Sequence, residues 1–351
     1  MKFLVTGGAG FIGSHITEKL LKEGHFVRVL DNFSSGKESN LKFVAEVSTS
    51  ATFELIRGDI RDKSTCDKAC AGIDYISHQA ALRSVPKSMK DPESYNDVNI
   101  GGTLNMLQAA LKNKVKRFVM ASSSSVYGDT DQFPEREDAF PLLISPYALS
   151  KLANEYYCRI FSTAWGLETV CLRYFNVFGP RQALDDEYAV VIPKFIHCIL
   201  NDEQPPIFGN GKQSRDFTYI DNVVQANILA MTTRHCEERN NSSLRGTAGA
   251  EAISSSCHCE EPRRGDAAIS SHEVFNVANG CDTTVLQLVE SINKILDKNI
   301  QPKLLPVRAG DVFKTLANIS KIKKKLGYKD PVSFEEGLRR TVEYFRGIYN
   351  K

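Results

Sequence analysis

The first half of the chain alternates short apolar runs with longer amphipathic segments, a rhythm that few folds can accommodate. The runs are Phe3 to Thr6, Phe26 to Leu30, Phe53 to Ile56, Tyr75 to His78, Phe118 to Ser122 and Thr169 to Tyr174. Apolar stretches this short and this continuous mark strands buried on both faces, and strands separated by helix-length segments pair in parallel. The expected class is therefore α/β: a Rossmann-like, doubly wound parallel sheet with helices on both faces and right-handed crossovers. Ser94 to Asn113 and Pro146 to Trp165 are the longest helical patterns. Each carries apolar residues at three-and-four spacing, as in Leu104, Leu107 and Leu111, and two such neighbours can also form a dimer face.

The rhythm changes after residue 178, where Pro180, Pro193, Pro205 and Pro206 break the chain into shorter elements. Residues 1–178 are expected to form the sheet domain, its sheet completed by later segments. Residues 179–351 would mainly make a smaller α/β C-terminal portion for substrate. At the far end, Asp330 to Tyr349 reads as a turn or strand and then an amphipathic helix with Leu338, Val342 and Phe345 on one face.

Residues 234–271 stand apart from this pattern. His235-Cys236-Glu237-Glu238 returns as His258-Cys259-Glu260-Glu261, and Ala252-Ile253-Ser254-Ser255 returns as Ala268-Ile269-Ser270-Ser271. Cys236, Cys257, His258 and Cys259 are chemically able to hold a metal. A repetitive, low-complexity surface insert explains the segment without ligands, and is the reading adopted; no metal site is expected. The segment resembles translated repetitive DNA.

Composition narrows the partners. Forty-four basic and 42 acidic residues leave a formal charge of +2, so no bulk field draws nucleic acid or a membrane surface. No stretch reaches the roughly eighteen apolar residues of a membrane span. The N-terminal residues run straight into a glycine turn without an export signal, and nine scattered cysteines suit a reducing compartment. A cytoplasmic protein acting on small molecules is expected. Cys66 and Cys70 simply share a helix face.

Gly7-Gly8-Ala9-Gly10-Phe11-Ile12-Gly13 follows the first strand and opens a helix bearing Ile16, Leu20 and Leu21. In that context the glycines permit a tight turn, close approach to a pyrophosphate and close helix–strand packing, while free amides at the helix start hold the anion. Asp31 ends the second strand, where an acid accepts hydrogen bonds from a ribose and repels a 2′-phosphate; it can also be read as a turn residue before Asn32. The cofactor expected is NAD. Asp59 ends the third strand on the same edge.

Tyr147 and Lys151 are four apart and share a helix face. Positive charge from lysine and a nicotinamide would lower the phenol's pKa, making a base. The run Ser122-Ser123-Ser124-Ser125 at the end of the preceding strand offers hydroxyls that could bridge phenol and substrate.

These segments, with His78-Gln79-Ala80-Ala81, Asn99 and Leu172 to Pro180, resemble the extended short-chain dehydrogenase/reductase family and its NAD-dependent epimerases. The resemblance covers nearly everything outside the insert. It is most similar to the UDP-N-acetylglucosamine 4-epimerases through His78 to Pro86 and Arg215 to Val223. It implies that Ser123, Tyr147 and Lys151 are catalytic, Tyr147 as base and Lys151 on the nicotinamide ribose, holding the tyrosine ionised. It places Gly7, Gly10, Phe11, Ile12, Gly13, Asp31, Asn32, Asp59, Ile60, Gln79, Ala80, Ala81, Asn99 and Tyr174 around NAD.

For a UDP-sugar it implies Arg83, Ser84, Ser122, Ser123, Asn176, Val191, Arg215, Arg308, Asp311 and Thr315; forked guanidinium groups suit a diphosphate in their own right. Related dehydratases and decarboxylases carry an acid directly after the catalytic serine, where this chain has Ser124 and Ser125. A tyrosine at the position of Thr315 excludes N-acetyl sugars in such epimerases, and threonine is small. The function implied is therefore 4-epimerisation of UDP-GlcNAc and UDP-GalNAc, with the plain hexoses as a further pair. It would proceed through a 4-keto sugar in a homodimer supplying surface polysaccharide precursors. Arg83 keeps a UDP-glucuronate or UDP-N-acetylglucosaminuronate 4-epimerase open, and the fold alone also allows a nonenzymatic NAD-binding regulator.

Overall fold

The computed structural model describes residues 1–49, 51–183, 191–233, 271–306, 312–329 and 331–349. Six strands coincide with the six apolar runs to within one residue at either end: β1 (Lys2–Thr6), β2 (Phe26–Asp31), β3 (Phe53–Arg57), β4 (Tyr75–His78), β5 (Arg117–Ser123) and β6 (Glu168–Tyr174). A seventh, β7 (His272–Val277), comes from beyond the repetitive segment and pairs with β6, His272 opposite Thr169 and Val277 opposite Tyr174. The sheet is parallel throughout, in the order β7-β6-β5-β4-β1-β2-β3.

Side chains along each strand alternate between two cores. Phe3, Val5, Val119, Ala121, Val170 and Leu172 pack on one face, and Leu4, Phe118, Met120 and Cys171 on the other. With both faces buried, the central strands β1, β4 and β5 read as nearly continuous apolar runs, whereas the edge strand β3 is only half-buried. Chain order reverses at β1, which pairs with β2 on one side and β4 on the other. In open α/β sheets the ligand crevice lies at that switch point, beyond the carboxyl ends of the strands.

Two helices matter most for what fills the crevice. Helix α1 (Phe11–Lys22) follows the glycine turn directly. Helix α2 (Pro146–Trp165) has the bounds that its sequence pattern suggests. The Ser145 side chain accepts the Ala148 N–H (3.1 Å), Pro146 fits the first turn, and Gly166 closes the helix in the left-handed region at φ 73°.

The expected helix from Ser94 to Asn113 is interrupted. A π-helical turn, Asn96–Gly101, separates Pro92–Tyr95 from Gly102–Lys112. Within this turn lies Asn99, wholly buried, which exchanges hydrogen bonds with Leu82 (2.7 and 3.0 Å) and donates to Ser150 Oγ (3.0 Å). The extra residue in the turn aims that side chain at the loop carrying Arg83. Leu107 is buried, and Leu104 and Leu111 pack against the core. The exposed apolar residues of this region lie instead on α2: Leu149, Tyr156 and Ile160.

The terminal helix Phe334–Tyr349 buries Leu338, Val342 and Phe345 as its pattern predicts. Cys66 and Cys70 are both buried on one short helix, where burial pushes each thiol up to about 12 and leaves it unreactive. No described helix is long and apolar enough to cross a membrane. The cysteine–histidine cluster of the repetitive segment lies outside the described residues.

Candidate active site

At the end of β1 the backbone turns at Gly7, φ +66°, where a Cβ would lie 2.8 Å from Ala80 N. A Cβ on Gly13 would lie 2.2 Å from Gly7 O, so α1 packs on the turn only because that residue is glycine. Gly10 caps α1 without a side-chain hydrogen bond, so the first amides of the helix remain available to an anion. Asp31 accepts the Ala9 N–H (2.9 Å) and the Phe33 N–H (2.8 Å), bracing the glycine loop from the end of β2. Lys37 N and Asn40 Nδ2 donate to Ala9 O (3.0 and 2.9 Å), which draws the following loop over it.

A cavity of about 960 Å³ opens over this turn. Gly7, Gly10, Phe11, Ile12, Gly13, Gln79, Ala80, Ala81 and Tyr174 line it, and so do Ser123, Tyr147, Lys151, Arg83, Asn176, Arg215 and Thr315. These residues, drawn from both the cofactor and the substrate sets, line one space. The donor set suits a dinucleotide. Besides the free helix amides, Arg181 holds a buried Nη1 with no partner among the described residues, while its guanidinium stacks over Phe43 (4.9 Å) and pairs with Glu18. NAD would be held by the glycine turn, by Gln79 to Ala81 and by Lys151.

Tyr147 opens into the cavity. Its ring meets that of Tyr95 edge-on (6.2 Å), and the Tyr95 hydroxyl donates to the Arg83 and Ser84 carbonyls. Burial pushes the phenol above its ordinary value, whereas the Ser123 hydroxyl and the Arg83 charge pull it down. Lys151 lies beside this phenol on the same wall. Burial lowers its ammonium to about 8; Nζ donates to Ala121 O (2.8 Å) and sits 5.8 Å from the Tyr147 ring centroid. Arg83 is thus one cation that favours the phenolate.

Ser122 and Ser123 part ways because neighbours on a strand point to opposite faces. The Ser122 hydroxyl donates to Glu155 Oε1 (2.5 Å), and Glu155 also pairs with buried Arg173 (2.7 Å). The proton of that hydroxyl is therefore committed to Glu155, while Ser122 itself remains part of the cavity lining. Ser123 Oγ accepts the Ser125 N–H (3.1 Å) at the cavity wall. The Ser125 hydroxyl, also at this wall, is buried without a partner among the described residues.

Seven expected residues lie outside the cavity lining. Asp31 and Asn99 are engaged as described. Asn32 Nδ2 donates to Asp59 (2.8 Å), whose carboxyl is held far below its usual range chiefly by hydrogen bonds from Arg61. Ile60 packs in the core beside Gly102, and Ser84 caps a short helix by accepting the Lys87 N–H (3.3 Å). Val191 starts the helix Val191–Leu200. Arg308 and Asp311 lie outside the described residues.

On the substrate side, Asn176 Nδ2 donates to Thr315 Oγ1 (3.0 Å) and to Asp216 O (3.0 Å). Arg215 Nη1 donates to Ser214 O (2.9 Å) and Phe313 O (3.1 Å). Asp216 is fully buried and accepts the N–H groups of Asn279, Gly280 and Ala317. Burial nonetheless pushes its carboxyl up to about 7. Sequence reasoning missed Glu135, Arg181 and Ser125 in the lining. The serine run signalled Ser125, but Glu135 and Arg181 sit in loops with no local signature.

Known proteins are similar to this chain in sequence and fold. Residues 3–241 match the model of the NAD dependent epimerase/dehydratase family. A UDP-N-acetylglucosamine 4-epimerase from Methanobrevibacter ruminantium, solved with UDP-N-acetylmuramic acid, is 38% identical, with a TM-score of 0.83 and 99% and 98% of the two chains covered. A UDP-glucuronic acid 4-epimerase from Bacillus cereus, solved with UDP-glucuronic acid and NAD, is 31% identical, with a TM-score of 0.81 and 99% and 100% covered. A putative UDP-glucose 4-epimerase of Methanocaldococcus jannaschii is 32% identical over 345 residues, 98% of each chain. With its glycine turn, its Ser123, Tyr147 and Lys151 and its parallel sheet, the chain belongs to the NAD-dependent epimerase/dehydratase family.

Proposed function

We propose that this chain interconverts UDP-GlcNAc and UDP-GalNAc at C4, with UDP-glucose and UDP-galactose as a secondary pair. The observation that carries the reading is Thr315, a small residue in the lining of the cavity that holds Tyr147. NAD, when bound, supplies a hydride acceptor that later returns the hydride. Tyr147 removes the proton of the sugar 4-hydroxyl, and the Ser123 hydroxyl bridges phenol and sugar oxygen. Arg83 and the Ser123 hydroxyl make the phenolate accessible by opposing the effect of burial. Lys151, fixed on Ala121 O, holds the nicotinamide ribose. Ser124 and Ser125 stand where related dehydratases and decarboxylases place an acid, so the positions from which those enzymes drive their further chemistry hold none here, and the 4-keto sugar takes the hydride back on its other face.

A panel of UDP-sugars incubated with purified protein tests this, with products followed by anomeric proton NMR. UDP-GalNAc is expected from UDP-GlcNAc. Absence of product from every UDP-hexose, with NAD bound, would sink the reading. A uronic acid substrate is the second reading, favoured by Arg83 in the lining and by the likeness to the Bacillus cereus enzyme. It predicts turnover of UDP-glucuronate in the same panel.

The assembly belongs to the same proposal. Leu149, Tyr156 and Ile160 of α2 are 54%, 55% and 47% exposed, a stripe at helical spacing that a second copy can cover. The parent is expected to sediment as a dimer and Ile160→Lys as a monomer; a monomeric parent would rule this interface out.

A further inference from the structure

Six of the described side chains lining the cavity are cations: Lys37, Arg83, Lys90, Lys151, Arg181 and Arg215. Only one is an acid, Glu135. Cations suit the diphosphates of a dinucleotide and a nucleotide-sugar, so the acid calls for its own explanation. Glu135 is 2% exposed and is not a solvated surface charge. It is bound to the segment that carries Thr315. Its N–H donates to Leu316 O (2.7 Å), its carbonyl accepts the Asn318 N–H (2.8 Å), and Oε2 accepts the Leu316 N–H (2.9 Å). No described residue donates to Oε1.

We propose that Glu135 is a specificity-determining residue of the sugar pocket, whose carboxyl beside Thr315 accepts hydrogen bonds from UDP-sugars with an uncharged sugar and repels those whose sugar bears a carboxylate. The inference rests on the cavity being a UDP-sugar site. A hydroxyl or an acetamido N–H can donate to the unpartnered Oε1. A uronate at that wall instead opposes one carboxylate with another where little water screens them, an arrangement that selects by repulsion.

The charge on this wall follows pH. Burial, assisted by neighbouring Asp216, pushes the Glu135 carboxyl up to about 7, and the Leu316 N–H and Arg215 act against them. Repulsion of a uronate therefore grows as pH rises through neutrality.

Glu135→Gln tests the proposal, since glutamine keeps an acceptor for the Leu316 N–H and nearly the same volume. Both proteins carry Tyr147→Phe and are loaded with NAD, so that calorimetry reads binding without turnover. In the Glu135 protein, the preference for UDP-GlcNAc over UDP-glucuronate should rise by roughly tenfold between pH 6 and pH 8. In Glu135→Gln it should fall by about tenfold at pH 8 and lose its pH dependence. Glu135→Asp, which keeps the charge, should restore the preference. Equal weakening of both ligands in Glu135→Gln, or an unchanged ratio, would reduce Glu135 to a brace for the Thr315 segment and overturn the proposal. Failure of both UDP-sugars to bind the Glu135 protein would overturn the UDP-sugar reading itself, and the proposal with it.

Discussion

Replacing Tyr147 by phenylalanine should lower UDP-GlcNAc turnover by about 10²- to 10⁴-fold, the usual contribution of a positioned acid–base group. The ring that packs on Tyr95 is preserved, and so are the contacts of Lys151 with Ala121 O, so the fold and the bound NAD should be unaffected. Loss of the phenol removes only the group that exchanges the proton. Turnover by anomeric NMR, with NAD content read by absorbance after denaturation, checks both halves. Activity within tenfold of the parent would exclude Tyr147 as the base.

The pH profile should carry the same signature. A base works only when deprotonated, so the rate rises with pH through the pKa of the phenol. Arg83 pulls that pKa down, so Arg83→Met should move the acidic limb to higher pH.

The Thr315→Tyr variant should lose UDP-GlcNAc turnover by on the order of 10²-fold while UDP-glucose turnover falls much less. Thr315 is 7% exposed at the cavity wall, and a phenol ring there fills space that an acetamido group would need. The structure adds a complication that the sequence did not show. Thr315 Oγ1 accepts from Asn176 Nδ2 (3.0 Å) and from the Asp216 N–H (3.2 Å), and both donors lose their acceptor in Thr315→Tyr. Unsatisfied buried donors cost about 1–3 kcal/mol each. Thr315→Val separates the effects, because it orphans the same donors without adding bulk. It should lower the melting temperature and leave the ratio of the two substrates unchanged. A ratio that shifts in Thr315→Val as it does in Thr315→Tyr would assign selectivity to the hydrogen bonds instead of to size.

Much of the fold can be read from the sequence because burial on both faces makes each central strand a compact apolar run. The same holds for α2, whose cap residues Ser145 and Gly166 bracket its apolar pattern. Asn99 shows why the segment from Ser94 to Asn113 is harder to read: a π-turn around a residue tied to distant Leu82 leaves no periodic trace. β7 pairs with β6 across the repetitive segment, and local pattern cannot identify such a distant partner.

The site divides the same way. Gly7, Gly13, Tyr147 and Lys151 answer to local chemistry and spacing, and all four line the cavity. Ser122 looks equivalent to Ser123 in a serine run, but the strand turns its hydroxyl toward Glu155. Glu135 gains its place from Leu316, 181 residues away, which no motif encodes.

The position of β7 also bears on how the chain is made. Strand β6 ends at Tyr174 and its outer neighbour starts only at His272, so about a hundred residues must be synthesised before that edge is covered. At roughly 5–20 residues per second, β6 waits several seconds on the ribosome as an open, apolar sheet edge, the kind of surface on which unfinished chains pair with one another. Any lengthening between the two strands extends that wait, even where its thermodynamic cost in the finished protein is small. For this sequence, the interval between β6 and β7 sets how long a nascent chain is exposed to aggregation.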